Sequence, residues 1–233
     1  MRALPKKPLT PLAQGVEPPS PSRGERGPSF NFERRFTGRV AGVDEAGRGP
    51  WAGPVVAAAV VLDPDCYPDG LNDSKQLTAG RRAALRLALL DCAEIGVGIA
   101  SVEEVDRLNI HWATMLAMER AVAALPVPCG HVLVDGNRLP RWSQPATAIV
   151  SGDALSLSIA AASIIAKTVR DAIMQDLCAG HPGYAWASNK GYGTPEHAAG
   201  LRELGPTGHH RQSFWPVREW RTLEPRTFRK ATD

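Results

Sequence analysis

The chain predicts an α/β protein built on a mixed five-stranded sheet flanked by helices, with a small helical segment at its C-terminal end. Three observations point there. Two apolar runs, 40–44 and 54–62, are separated only by a Gly/Pro stretch. Short apolar runs then alternate with stretches of helical period. And 43% apolar residues in a 233-residue chain suffice for one substantial core, or two small ones.

Residues 1 to about 36 hold seven prolines, among them Pro18, Pro19 and Pro21, with almost no apolar periodicity. Such a segment buries too little surface to offset its ordering entropy, so it is expected to be a disordered basic arm, with the folded domain spanning 37–233. Residues 40–44 and 54–62 read as strands of an antiparallel hairpin. The second is continuous in small and β-branched residues, as a strand buried on both faces would be. Thr78 is placed to cap a helix running to about residue 92, with Leu85 and Leu89 on one face. Residues 94–101 make a third strand, and a helix near 110–124 ends before Pro126. Two further strands are expected at 130–135 and 146–150. A long helix over about 154–177 carries Leu155, Ile159, Ala162, Ala166, Val169 and Ile173 at helical spacing. The helical C-terminal part begins near 178 and includes a helix over 195–204 after a loop at 190–194.

Composition excludes several classes. No stretch approaches the ~20 apolar residues of a membrane-spanning helix, and no apolar run follows the N-terminal lysines as in a secretory signal. Cys66, Cys92, Cys129 and Cys178 form no Cys-x-x-Cys pair and read as small buried residues of a reducing compartment, which points to a cytoplasmic protein. The net charge of +3 hides an asymmetry. Residues 1–35 hold seven Lys/Arg against three acids, a net of +4, so residues 36–233 sum to −1. Global charge therefore does not identify a nucleic-acid partner; local placement must.

The most informative segment is Val-Ala-Gly-Val-Asp44-Glu45-Ala-Gly47-Arg48-Gly49-Pro50-Trp51. Two carboxylates end an apolar run, and a turn with an arginine and bare backbone N–H groups follows. That combination suits a divalent cation and a phosphodiester, because the cation offsets charge that would repel the phosphate. A dinucleotide-binding reading fails: the spacing of Gly47, Gly49 and Gly53 is one residue off, and Pro50 and Pro54 prevent the helix that must receive the pyrophosphate. Asp135 ends another apolar run before Gly136, and Asp153 precedes the long helix, where the helix dipole favours negative charge.

These segments, together with Asn72-Asp73-Ser74-Lys75, Val134-Asp135-Gly136-Asn137, Gly152-Asp153 and Lys190-Gly191-Tyr192-Gly193-Thr194, resemble in order the motifs of type 2 ribonuclease H over roughly residues 39–217. The resemblance implies a ribonuclease H-like fold and an endonuclease that hydrolyses the RNA strand of RNA–DNA hybrids. It also implies cutting 5′ of ribonucleotides embedded in duplex DNA, leaving 3′-hydroxyl and 5′-phosphate ends. Asp44, Glu45, Asp135 and Asp153 would be both the catalytic residues and the ligands of two divalent cations. Oxygen-only ligands select Mg²⁺ or Mn²⁺, and four acids in one cleft need such counter-charge. The Gly47-Arg48-Gly49 turn would approach the substrate's 2′-hydroxyl, and Tyr192 would pack on the sugar at a ribonucleotide–deoxyribonucleotide junction. Lys75 and Lys190 would contact phosphates. Lys167 fits either the site or solvent, and His209 and His210 fit structural packing better than metal binding. The chain is expected to be a monomer without a membrane partner. A DNA nuclease or strand-transfer enzyme of the same fold, needing no 2′-hydroxyl, and a catalytically silent hybrid-binding module are the competing readings. The sibling type 3 enzymes share the Asp-Glu start but not the Gly-Arg-Gly-Pro turn or an aspartate as fourth carboxylate.

Overall fold

The computed structural model describes residues 27–223. Strands β1 (Val40–Ala46) and β2 (Val55–Leu62) pair antiparallel, and β2 pairs antiparallel with β3 (Ala93–Ala100). β4 (His131–Asp135) runs parallel to β1, and β5 (Ala146–Ile149) runs parallel to β4. The mixed sheet has the order β3-β2-β1-β4-β5. Its helices are α1 (Ala79–Cys92), α2 (Val102–Ala123), α3 (Leu157–Gly180), α4 (Trp186–Asn189), α5 (Pro195–Leu204) and α6 (Val217–Leu223).

The two-residue period of β2 builds both layers. Ala57, Ala59 and Val61 face α2 in a cluster with Ala113, Ala117, Met118 and Ala121. Ala58, Val60 and Leu62 face α1 and α3 with Leu85, Leu89, Ala161 and Ile164. Every β2 residue is buried, as the continuous apolar run predicts. On β1, Gly42 permits the close crossing of α3, since a Cβ there would overlap the Ser158 backbone.

Local chemistry sets the helix ends. The Thr78 hydroxyl accepts from Arg81 N–H, as expected. Ser101 and Glu104 form a reciprocal capping box that starts α2 eight residues before the expected position. α2 is broken at Asn109 (φ 69°), whose side-chain oxygen accepts from the N–H groups of His111 and Trp112 and restarts the helix near residue 110. The expected helix is thus the second half of α2. Ser156 caps α3, so the long helix starts three residues later than expected and a separate 3₁₀ turn, Gly152–Ala154, holds Asp153.

Two expectations need correction. The expected arm over 1–36 ends too late: residues 1–26 lie outside the described residues, but Phe30, Phe32 and Glu33 are buried. Glu33 Oε1 accepts from Ser156 Oγ at 2.7 Å and Ser158 N–H at 2.9 Å, so this short segment is clipped onto the start of α3. Of the seven prolines that suggested disorder only Pro28 falls in this part of the segment, and two phenylalanines and a capping acid outweigh it. Of the four cysteines, Cys129 is buried, Cys92 and Cys178 are half-buried and Cys66 is exposed; all are free thiols. Among the described residues, no helix is long and apolar enough to cross a membrane.

Candidate active site

Strand register gathers the acids. Because β1, β4 and β5 run parallel, their carboxyl ends lie at one edge, where open α/β sheets place their ligands. Val43 stands opposite Val134, so the next residues, Asp44 and Asp135, lie side by side near the carboxyl ends of neighbouring strands. Asp135 pairs in turn with Ile149, after which the chain turns through Ser151, in left-handed backbone (φ 55°), into Gly152 and Asp153. The Gly152 N–H donates to Asp135 Oδ1 at 2.7 Å. Glu45 sits at the half-buried end of β1.

The corner is electrostatically loaded. Burial, then the charges of Glu45 and Asp135, hold the Asp44 carboxyl well above the usual range. Burial also raises Asp135 despite the Gly152 hydrogen bond, and Asp153 is raised by burial and by Asp135 and Asp73. Burial alone would lower the Lys75 ammonium, but Asp153, Asp73, Asp44 and Asp135 together raise it. Its Nζ lies 3.6 Å from Asp153 Oδ2, although the side chain is 80% exposed.

The donor set is all oxygen and fits hard divalent cations. The four acids are gathered but not closed round a point: among the described residues, no three His, Cys, Asp or Glu side chains stand in ligating geometry. Each is engaged locally instead. Asp44 Oδ1 accepts from the Glu45 N–H at 2.7 Å, Glu45 Oε1 pairs with Arg48 Nη1 at 3.1 Å, and Asp135 and Asp153 meet Gly152 and Lys75 as above.

Two loops flank the acids. Gly47 adopts φ 94°, and a Cβ there would overlap Arg170, so no other residue fits the turn. Tyr192, half exposed, lies against Gly49: a Cβ on Gly49 would come 3.4 Å from Tyr192 Cε1. The loops are bonded directly, Trp51 N–H to Gly191 O at 2.8 Å, and the Trp51 ring covers Gly193.

Beneath them lie two buried arginines, Arg170 and Arg211, that among the described residues bond backbone carbonyls rather than a carboxylate. Arg211 donates to the carbonyls of Arg48 (2.8 Å), Gly53 (3.0 and 2.8 Å) and Gly47. Arg170 donates to Ala52 (3.0 Å), Pro54 (3.2 Å) and, in the other loop, Lys190 (2.8 Å). Burial pulls Arg170 down to about 10. Burial, with the charge of Arg170, pulls Arg211 down to about 9, so both stay charged at neutral pH. Since a trans peptide sets C=O and the next N–H on opposite sides, drawing Gly47 O and Arg48 O inward turns the N–H groups of Arg48 and Gly49 outward.

Not every residue singled out in the sequence meets at this corner. Asp153 precedes the long helix as expected, but in a separate 3₁₀ turn ahead of the Ser156 cap, where Lys75 lies 3.6 Å away. Lys190 Nζ is turned to Ala187 O at 2.6 Å, where it caps α4, and Lys167 pairs with Asp171 one turn along α3 at 2.7 Å. His210 is fully buried, in agreement with structural packing, whereas His209 is half-buried. Arg170 and His197 had no signal in the sequence, lying inside helices where an arginine or histidine usually faces solvent. A pocket of about 130 Å³ touches Glu45, Arg48 and Asp135. The larger cleft of about 680 Å³, near Phe36, Arg39 and Glu94, touches none of the four acids, so volume does not locate the chemistry here.

A sheet of this order, with acids at the carboxyl ends of its parallel strands, defines a protein of the ribonuclease H-like fold. Comparison with known proteins narrows the class. Residues 41–217 match the family model of ribonuclease HII. The chain is 59% identical over 192 residues to a ribonuclease HII of Jannaschia sp. (82% of this chain, 96% of the relative), and 59% identical over 194 residues to one of Rhizorhabdus wittichii (83% and 96%). The crystal structure of the ribonuclease H2 from Pyrococcus horikoshii superposes with a TM-score of 0.69 at 25% identity, covering 81% of this chain and 99% of that one. The chain belongs to the ribonuclease HII family.

Proposed function

We propose that this endoribonuclease of the ribonuclease H type hydrolyses the RNA strand of RNA–DNA hybrids. We propose also that it cuts 5′ of ribonucleotides embedded in duplex DNA, leaving a 5′-phosphate and a 3′-hydroxyl, in ribonucleotide and primer removal. The observation that carries this reading is the β1–β4 register, which sets Asp44 beside Asp135 at a shared strand edge.

In this reading Asp44, Glu45, Asp135 and Asp153 hold two divalent cations, Mg²⁺ or Mn²⁺, in exchange for their present local partners. When bound, such ions lower the pKa of a coordinated water and stabilise charge on the leaving oxygen. The chain's own residues do the selecting. The outward N–H groups of Arg48 and Gly49 offer donors to the substrate strand, where a 2′-hydroxyl distinguishes RNA from DNA. The Tyr192 ring, held against Gly49, offers an apolar face to the adjoining sugar. Arg48, half exposed beside Glu45, supplies positive charge at the strand's entry. Lys75 offsets Asp153 and adds a phosphate contact at the same edge. Lys190, turned onto Ala187, must swing outward to serve as one. The free thiols agree with a cytoplasmic location, and a single copy carries every residue of the site, so a monomer suffices.

Cleavage of a duplex containing one ribonucleotide, with Mg²⁺ and with chelator, beside an all-DNA duplex tests this directly. Mg²⁺-dependent cutting only at the ribonucleotide is expected. Equal cutting of the all-DNA duplex favours a DNA nuclease, and binding without cutting a silent module.

A further inference from the structure

The richest cluster of titratable side chains outside the carboxylate corner lies behind the Tyr192 loop. His197, on α5, and His210 are both fully buried, with Trp186, Tyr184 and Trp51 packed around them. Their hydrogen bonds permit one proton arrangement. His197 Nδ1 lies 2.9 Å from Tyr192 O, a carbonyl that only accepts, so Nδ1 carries the hydrogen. The lone pair of His197 Nε2 then receives Trp186 Nε1–H at 3.1 Å. His210 Nδ1 accepts from the Thr207 N–H at 3.0 Å, with the Thr207 hydroxyl at 3.1 Å. That leaves its hydrogen on Nε2, 3.1 Å from His197 Nε2, whose one lone pair it shares with the Trp186 N–H. Donation therefore runs one way, from Thr207 through His210 and His197 to the Tyr192 carbonyl.

We propose that His197 and His210 are positioning residues: an uncharged histidine pair that fixes Tyr192 against Gly49 for the substrate's sugar. This rests on the reading of Tyr192 as the junction-sensing residue. The same carbonyl also accepts Thr194 N–H at 2.8 Å, and Lys190 O is held by Arg170, so the loop is tied on both sides of its tyrosine. A proton on His197 Nε2 would face two N–H groups, and one on His210 Nδ1 would face the Thr207 N–H. Among the described residues, no carboxylate hydrogen-bonds to either ring. The titratable and charged groups around the pair are Tyr184, His181, His209 and Arg211. Of the acids near the cluster, Glu103 bears on His209, and Asp106 bears on Arg211 while accepting from the Gln212 and Ser213 N–H groups. Burial lowers His197, and burial with the neighbouring histidines brings His210 down to about 3, in keeping with a pair that stays neutral.

Two measurements test this. Nitrogen-15 NMR of the wild-type imidazoles should show His197 protonated at Nδ1 alone and His210 at Nε2 alone, unchanged from neutral pH to about one unit below the ordinary histidine pKa of ~6.5. A charged ring, or hydrogen on His197 Nε2, overturns the arrangement. In kinetics, His197→Phe should cut the preference for a single-ribonucleotide duplex over a long hybrid by roughly five- to tenfold, the worth of about one hydrogen bond. His197→Asn, whose amide N–H replaces Nδ1–H, should restore it. In a Tyr192→Ala background, His197→Phe should change the preference less than about twofold, because the two act as one unit. Loss on both substrates alike, or the same loss without Tyr192, reduces the pair to scaffolding. If His197→Phe does not fold, His197→Asn decides: loss of preference in that folded variant overturns the proposal. Tyr192→Ala alone leaving the preference intact would instead sink the reading of Tyr192, a separate result.

Discussion

The backbone N–H of Gly152 donates to Oδ1 of Asp135 at 2.7 Å and thereby ties two acids that lie eighteen positions apart in sequence. Gly152 immediately precedes Asp153, so the bond sets the separation of the third and fourth carboxylates before any ion arrives. It uses only one Asp135 oxygen. The strand register performs the same service for Asp44 and Asp135. Two backbone devices thus assemble the corner against the repulsion of its own charges.

That repulsion predicts an inverse relation between stability and activity. Asp44 has a folded-state pKa above its unfolded value, so its ionised form destabilises the fold, and the cost appears as pH rises through the raised value. In chelator at neutral pH, Asp44→Asn should melt above wild type, by roughly 2–4 °C for each kcal/mol of repulsion removed. The increment should shrink as pH falls toward the raised carboxylate range, where wild-type Asp44 is already protonated. Excess Mg²⁺ should reverse the order. Thermal melts at several pH values check this; a variant less stable than wild type at every pH in chelator contradicts it.

Tyr192→Ala should spare folding, because the ring is half exposed, while lowering preference for the ribonucleotide junction. Aromatic packing on a nucleotide is worth about 1–3 kcal/mol, which corresponds to roughly 5- to 150-fold. The ratio of kcat/KM for a single-ribonucleotide duplex to that for a long hybrid reads the effect.

Arg211→Lys keeps the charge but cannot reproduce a fork that reaches the carbonyls of Gly47, Arg48 and Gly53 at once. Orphaned buried carbonyls cost about 1–3 kcal/mol each, so Tm should fall by at least ~5 °C. KM should rise as the Gly47–Gly49 turn loosens. Calorimetry and steady-state kinetics on the folded variant check both; an unchanged Tm and KM would mean that the guanidinium geometry does not matter.

Deleting residues 1–36 removes Phe30 and Phe32 from buried positions and Glu33 from the start of α3. A loss of several kcal/mol is expected, since truncating one buried phenylalanine costs about 3–5. Chemical denaturation of the shortened chain measures it.

Much of this structure is written locally in the sequence. The continuous β2 run, the Thr78 cap and the Pro195 start of α5 are each decided by a few adjacent residues, and the structure agrees to within a residue or so. Asp44 and Asp135 stand out because each ends an apolar run ahead of a glycine turn, and Asp153 because it follows Ser151-Gly152 ahead of the long helix. What stayed hidden depends on partners distant in the chain. Glu33 is an ordinary surface acid until Ser156 and Ser158, more than a hundred residues away, supply its donors. Arg170 sits on a helix between Lys167 and Asp171 like an ordinary surface charge, and only the folded Gly47–Pro54 loop shows why it is buried there. Asn109 breaks α2 by its own backbone conformation, which helical periodicity cannot register.

The most direct test of the shared-cation corner is the Mg²⁺ dependence of single-ribonucleotide cleavage by Asp135→Asn. An asparagine can still accept from Gly152 N–H, so the corner should stay assembled while one charged ligand is lost. With it go several kcal/mol of charge stabilisation. A rate lower by at least ~10²-fold, a Mg²⁺ midpoint moved to higher concentration and near-normal duplex affinity are expected. A variant that cuts at the wild-type rate with an unmoved midpoint would contradict the assignment.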